Sequence, residues 1–243
     1  MWKFSNINDE KRKFRFENKY LLNVMQKENI QNVVEGMFEL DKYILKSEGC
    51  YRIRSLYFDT YNSKAYRDNE GGVDNREKYR IRIYNCSSKH IILERKIKVN
   101  GKISKDRERI DETILNNILE EKFCDINFTN EQPLLNRFLL ECQLNYLRPC
   151  NIVDYERVAY VDENVDVRIT FDRNICFSSD VRRFFDENLS LQPILSVGSE
   201  LLEVKYVEFI PKYIYQLLDS ENLQQSTFSK FYLCEKYRRQ GEL

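Results

Sequence analysis

The chain has 243 residues, room for one large domain or two small ones, with 42% hydrophobic and 13% aromatic residues to build a core. Lys plus Arg and Asp plus Glu both number 39, so the formal net charge is zero, and overall charge gives no argument for nucleic acid or membrane binding. Only 7 Gly and 4 Pro argue against low-complexity or collagen-like sequence and against a Gly-rich phosphate loop.

Seven cysteines, at positions 50, 86, 124, 142, 150, 176 and 234, form no C-x-x-C pair, and His90 is the single histidine. Zinc fingers and a Cys–His nucleophile both lack partners here. Free thiols in a reducing cytoplasm are the plain reading. The opening MWKFSNINDEKRKFRF has no apolar stretch of a signal peptide. No apolar run reaches the ~20 residues that cross a bilayer, so a cytoplasmic chain is expected.

Residues 13–20, KFRFENKY, alternate cleanly and predict a strand. The spacing of Leu22, Met25, Ile30, Val33, Val34 and Met37 predicts a helix over 21–40. YRIRSLYFD, 51–59, returns to strand pattern, and 60–69 reads as a short helix or turn before the Gly71-Gly72 loop. Strands follow at 77–85 and 90–99, joined by a Ser-Ser-Lys turn. Asn100-Gly101 is a strong hairpin signal that leads into a strand at 102–110. Helices are expected at 111–121 and 131–146, then strands at 152–161 and 165–172. Residues 174–198 look less regular, 200–209 form another strand, Pro211 opens a helix, and 227–239 end the chain as a basic helix. No repeat, linker or change in composition divides the sequence. The expectation is one α+β domain spanning 1–243, built on an antiparallel sheet of about eight strands.

Successive strand side chains point to opposite faces. For a single strand, charge on one face is by default a solvated face. Taken together, the strands read differently. E-x-K occurs three times, as Glu17/Lys19, Glu94/Lys96 and Glu203/Lys205, and R-x-R or K-x-R stands at Arg80/Arg82 and Lys105/Arg107. Arg157 and Arg168 lie on the later strands. Opposite them stand Phe14, Phe16, Ile81, Ile83, Leu93, Ile97, Leu202, Val204 and Tyr206. The helices at 21–40, 131–146 and 210–218 supply cover for that apolar face. A curled sheet of this size turns its other face into a channel. Arg and Lys lining a channel repel one another unless an anion fills it, and phosphate chains suit the lining. The interspersed glutamates can orient cations or ligate a divalent metal.

The words R-F-E-N-K-Y (15–20), S-L-Y-F-D-T (55–60), K-Y-R-I-R-I-Y (78–84), L-E-R-K (93–96), S-K-D-R (104–107), Y-E-R-V-A-Y (155–160), V-R-I-T-F-D (167–172), L-E-V-K (202–205) and F-S-K-F (228–231) resemble the VTC domain. That is the polyphosphate polymerase domain of the vacuolar transporter chaperone complex, with stand-alone bacterial relatives, within the triphosphate tunnel metalloenzymes. The resemblance spans about residues 11–235. It implies an antiparallel β-barrel or tunnel of about eight strands with a charged interior and amphipathic helices outside. It also implies transfer of the ATP γ-phosphate to a growing inorganic polyphosphate chain, with manganese, or else magnesium, as cofactor.

Carried over motif by motif, Arg80, Arg82, Lys96 and Arg168 would be catalytic. Lys19, Lys105, Arg107, Arg157, Lys205 and Lys230 would bind phosphate. Glu203 matches the family's metal-binding glutamate, with Glu17 and Glu94 as further metal candidates that could instead orient their neighbouring lysines. The division of labour expected is donor phosphates on Arg80, Arg82 and Lys96, and the acceptor end on Lys19, Arg168 and Lys230. The hydrolase branch opens with E-x-E-x-K, whereas this chain has Arg15 first, which fits the polymerase branch. The family's eukaryotic phosphate-sensing domain and membrane segments are not in this sequence, so a cytoplasmic enzyme is the simpler expectation. A hydrolase of tripolyphosphate or nucleoside triphosphate and a non-catalytic polyanion binder are the alternatives. His90, Asp59 and Asp172 read as a solvated or packing histidine and two turn-capping carboxylates. The basic end, Glu235 to Arg239, reads as a solvated helix terminus.

Overall fold

The computed structural model describes residues 13–42, 44 and 49–241. The reading of residues 1–12 lies outside them. Among the described residues ten strands run in chain order as β1 (Phe16–Leu22), β2 (Glu39–Leu40), β3 (Tyr51–Asp59), β4 (Arg76–Tyr84), β5 (Ser87–Val99), β6 (Lys102–Ile110), β7 (Arg148–Asp162), β8 (Val167–Ser178), β9 (Gln192–Pro193) and β10 (Glu200–Tyr206). The helices are α1 (Val24–Met37), α2 (Lys64–Glu70), α3 (Glu112–Leu119), α4 (Pro133–Leu144), α5 (Lys212–Ser220) and α6 (Lys230–Gly241).

The eight long strands form one antiparallel sheet in the order β1-β10-β8-β7-β3-β4-β5-β6, with β2 added to β7 and β9 to β8. The sheet curls until its two edges meet. Arg15 and Ile103 exchange backbone hydrogen bonds of 2.9 and 2.8 Å, the one bridge between the β1 and β6 edges among the described residues. The two edges are therefore linked at one point and lack the continuous ladder of the expected closed barrel. On the β1 side of this seam Arg15 and Lys13 both pair with Asp166 in the β7–β8 turn. The remaining edge of β1 is met by an incoming segment, where Tyr20 bridges to Gln225 and the Ser226 N–H donates to the Lys19 carbonyl at 2.7 Å.

The apolar face is covered as its composition requires. α3 and α4 pack Leu115, Ile118, Leu135, Phe138 and Leu139 on Ile81, Ile83, Leu93 and Leu56. α1 and α5 pack Ile30, Val34, Ile214 and Leu218 on Leu22, Leu202, Val204 and Phe171. α6 departs from expectation. Its Phe231 and Cys234 are buried on the inner face, against Tyr57, Tyr155, Val153 and Leu201. The chain's basic end is thus a packed helix, with Glu235 1% exposed and held by Asn151, Arg238 and Arg239.

Local differences have local causes. α1 is shorter than 21–40 at both ends. Asn23 caps its start by a reciprocal bond with Gln26, and Glu39–Leu40 leave the helix to pair with β7. The turn between β4 and β5 is Asn85-Cys86, both at positive φ, so the Ser-Ser-Lys segment is already strand. Asn100 and Gly101, also at positive φ, turn the next hairpin as expected. β8 runs past residue 172 to Ser178 because a bulge near Asn174, at φ 51°, absorbs one residue without ending the strand.

Candidate phosphate-binding site

Strand parity places Lys78, Arg80 and Arg82 on the inner face, and the registers then fix what each meets. Lys78 stands opposite Lys96 across β4–β5, and Lys96 stands opposite Lys105 across β5–β6. Three lysines in one cross-strand row oppose ordinary sheet stability, since like charges directly opposite repel. One row along, Arg80 meets Glu94, which meets Arg107. On the other wall Glu17 meets Lys205 and Lys19 meets Glu203. α6 contributes Lys230 from its first turn.

These side chains surround a cavity of about 390 Å³ lined by Lys19, Lys78, Arg80, Arg82, Lys96, Lys105, Arg157, Lys205 and Lys230, with Glu17 and Glu203 as its carboxylates. Arg76 and Lys98 extend the cationic wall, and Tyr57, Tyr155, Ser226, Thr227 and Ser229 add hydroxyls.

Two carboxylate hubs hold the cations. Glu203 accepts from Lys205 Nζ at 2.7 Å and Lys230 Nζ at 3.0 Å, with Arg157 Nη2 at 3.4 Å and Lys19 Nζ at 3.8 Å. Asp172 backs this hub, taking both 2.6 Å bonds of Arg157 and Lys230 Nζ at 2.6 Å. Glu94 is the second hub, bonded by Arg80 at 2.6 Å and Arg107 at 2.9 Å. Arg80 also donates to the Tyr57 hydroxyl at 2.9 Å, and Arg82 donates to Tyr155 at 3.3 Å. Lys105 makes no hydrogen bond or ion pair among the described residues.

Burial opposes the charged form of Glu17, Glu94 and Glu203, yet their cations prevail and hold all three well below the ordinary value of 4.5. Lys96 and Lys19 act on Glu17, Arg80 and Arg82 on Glu94, and Lys205 and Lys230 on Glu203. The lysine row shifts the other way. Burial, reinforced by neighbouring cations, pushes Lys78 and Lys105 well below 10.5 and Lys96 to a lesser extent. Burial likewise opposes the charge on Lys230, but Asp172 and Glu203 outweigh it and raise its value.

Acid stability follows with a definite sign. A carboxyl depressed in the fold gives its full stabilisation above the unfolded value near 4.5 and loses it as pH falls through the folded value. Melting temperature is therefore expected to drop steeply below about pH 4.5, and to drop less in Glu94→Gln. A flat profile down to pH 3 would contradict the paired-carboxylate description.

The expected site residues divide into three groups. Lys19, Arg80, Arg82, Lys96, Lys105, Arg157, Lys205, Lys230, Glu17 and Glu203 share the cavity. Glu94 and Arg107 stand behind and beside it, with Glu94 buried and the Arg107 side chain 60% exposed. Arg168 does not line it: its guanidinium is engaged by Asp41 at 2.7 Å and the Tyr51 hydroxyl at 3.3 Å. The expected carboxylate trio also separates. Among the described residues no three metal-ligating side chains cluster, and Glu94 is tied to Arg80 and Arg107. Glu17 and Glu203 remain together, both flanking Lys19 Nζ, at 3.1 and 3.8 Å.

Sequence reasoning missed Lys78 as a site residue, although its parity with Arg80 and Arg82 was the available signal. Asp172, expected as a turn cap, is a mid-strand anchor, 0% exposed. Asp59 does cap as expected, accepting from the N–H groups of Thr60, Ala65 and Tyr66. His90 is exposed, in keeping with a solvated role.

The fold and lining define a curled antiparallel tunnel with a cationic interior. The family follows from the sequence: the VTC domain profile matches residues 14–237, and the chain belongs to the VTC domain family. A search of curated proteins finds no match. Among solved structures, a candidate adenylate cyclase from Bacillus halodurans is similar at 13% identity and TM-score 0.51, covering 90% of this chain and 95% of that one. A candidate adenylyl cyclase from Hippeastrum, described as having a dominant triphosphatase activity, is similar at 15% identity and TM-score 0.51, covering 95% and 96%. At these identities the likeness concerns the fold. No helix among the described residues is long and apolar enough to cross a membrane.

Proposed function

We propose that this protein is a metal-dependent polyphosphate polymerase that transfers the γ-phosphate of ATP to the end of an inorganic polyphosphate chain. The observation that carries this reading is the in-register row Lys78–Lys96–Lys105 inside the cavity, with Lys105 in no direct ion pair among the described residues. Such a row costs stability until a linear polyanion runs across it. Membership of the VTC domain family supports the same substrate class.

Phosphoryl transfer requires positioning and charge neutralisation more than covalent chemistry from the protein. A terminal phosphate oxyanion of the chain attacks the γ-phosphorus, the bond to ADP breaks, and ADP leaves. An ionised oxygen needs no general base, which suits a cavity with no histidine on its wall. Arg80, Arg82 and the lysine row hold the donor phosphates. Lys19 and Lys230 hold the acceptor end. Arg168 drops out of this assignment because Asp41 already engages it.

A divalent ion fits two carboxylates and not three. Manganese or magnesium binds through one or two carboxylates together with phosphate oxygens. Glu203 and Glu17 would hold it, and bound there it would neutralise charge on the transferring group. Glu94 serves to orient Arg80.

Triphosphate hydrolysis is the second reading, favoured by the activity described for the similar Hippeastrum protein. Incubation of the pure chain with ATP and manganese separates the two. Chains that resolve as a ladder on a gel support the polymerase. Free phosphate without chains supports the hydrolase, and neither product overturns both.

A further inference from the structure

We propose that the edge strand β6 carries a second anion-binding strip, Lys105–Arg107–Arg109, which leads a phosphate chain from the cavity to the protein surface. The inference rests on the phosphate-chain reading above. Its ligand is a linear inorganic polyphosphate longer than the cavity can hold.

The argument begins with the sequence K-D-R-E-R at 105–109, where acids and bases alternate. In a strand without a register shift, the alternation sorts them onto opposite faces. Both acids are consumed on the outer side. Asp106 pairs with Arg95 at 3.4 Å, and Glu108 accepts from the Leu134 and Leu135 N–H groups at 3.0 Å, capping α4. Three cations are left on the inner side, spaced at every second residue.

Lys105 is half-buried, whereas Arg107 and Arg109 are both exposed. Lys105 lines the cavity and has no ion-pair partner. Arg107 is 60% exposed, and only its Nε is held, by Glu94 at 2.9 Å. Arg109 is exposed, with Nη2 anchored by the Lys89 carbonyl at 2.8 Å. Each guanidinium is fixed by one edge, and among the described residues no other side-chain hydrogen bond of either is found. Its neighbour across β5 is Ile92, so no carboxylate stands opposite Arg109. β6 ends the sheet order, and its bond to the β1 edge is confined to Ile103. Among the described residues no strand pairs with β6 on that side beyond Ile103. An arginine fork suits successive phosphate oxygens there.

Arg109→Glu tests the strip without touching the cavity. Binding of tripolyphosphate and of a long polyphosphate is measured by calorimetry at two salt concentrations for the wild-type chain, Arg109→Glu and Arg109→Lys. Loss of one charge-assisted contact is expected to weaken long-chain binding about tenfold. It should also make the log–log salt dependence shallower by about one, with tripolyphosphate binding unchanged and Arg109→Lys close to wild type. Long-chain affinity unchanged in Arg109→Glu overturns the strip and leaves the cavity reading intact. An equal loss for both ligands also overturns it, since Arg109 would then act on the cavity. Failure of the wild-type chain to bind either ligand overturns the cavity reading itself. The melting temperature of each variant confirms that the fold is retained.

Discussion

Lys105→Ala is expected to lower turnover about a hundredfold to a thousandfold while making the ligand-free protein more stable. Removing one preorganised charge donor from a transition-state site costs about 2.7 to 4 kcal/mol of barrier. Lys105 is suited to such a role because it makes no hydrogen bond or direct ion pair among the described residues, feels Glu94 only at a distance, and has Lys96 directly opposite. Burial and the nearby Arg80 hold its ammonium well below the ordinary 10.5, so the charged form is a burden on the empty fold. Alanine removes that burden. Each kcal/mol relieved should raise the melting temperature by about 2 to 4 °C in a domain of this size. Loss of stability in Lys105→Ala, or full retention of turnover, would contradict the assignment.

Asp172→Ala is expected to have the opposite signature, a loss of about 3 to 5 kcal/mol of folding stability. Asp172 is fully buried and takes three bonds of 2.6 Å, two from Arg157 and one from Lys230. Without it, two buried cations share the single carboxylate Glu203, which already serves Lys205 and Lys19. Urea denaturation measures the change, and Asp172→Asn should lose less because the amide oxygen still accepts a hydrogen bond. A loss under 1 kcal/mol in the alanine variant would mean that Glu203 alone holds the hub. The contrast between Lys105 and Asp172 separates two kinds of charge in this cavity. Some cations are anchored by the fold, and some await a ligand.

Most of the architecture was legible because each strand carries its charge and its oil on opposite parities. Residues 78, 80 and 82 against 81 and 83 announce an inner and an outer face before any coordinate is known. The apolar sides of α1, α4 and α5 announce what covers the outer one. Parity could not supply register. That Lys78, Lys96 and Lys105 form one row depends on hairpin turns at Asn85-Cys86 and Asn100-Gly101, and a shift at the first would realign β4 on β5. Polar partners contributed from distant segments were equally hidden. Asp41 withdraws Arg168 from the cavity across more than a hundred residues of sequence, and no local pattern records that contact.

The tail misled for a different reason. KFYLCEKYRRQ is rich in charge, yet Phe231, Cys234 and Glu235 are buried while Arg238 and Arg239 reach back to Glu235. Long basic side chains cover apolar surface while their charged heads find a partner, so composition alone reads such a helix as solvated. The consequence for the site is direct. By packing on the inner face, α6 carries Lys230 to Asp172 and Glu203. It also sets Phe231 beneath the ammonium of Lys78, whose nitrogen lies 4.7 Å from the ring centre.

Calorimetric titration of tripolyphosphate into the ligand-free protein, in two mildly alkaline buffers of different ionisation enthalpy, bears most directly on the cationic cavity. Lys78, Lys96 and Lys105 sit below their ordinary value because they are buried without enough negative charge. A bound anion returns that charge and draws protons back onto them. One-to-one binding with net proton uptake is predicted, and the double variant Lys96→Ala/Lys105→Ala should lose both. No binding, or binding that the double variant leaves intact, would contradict the account.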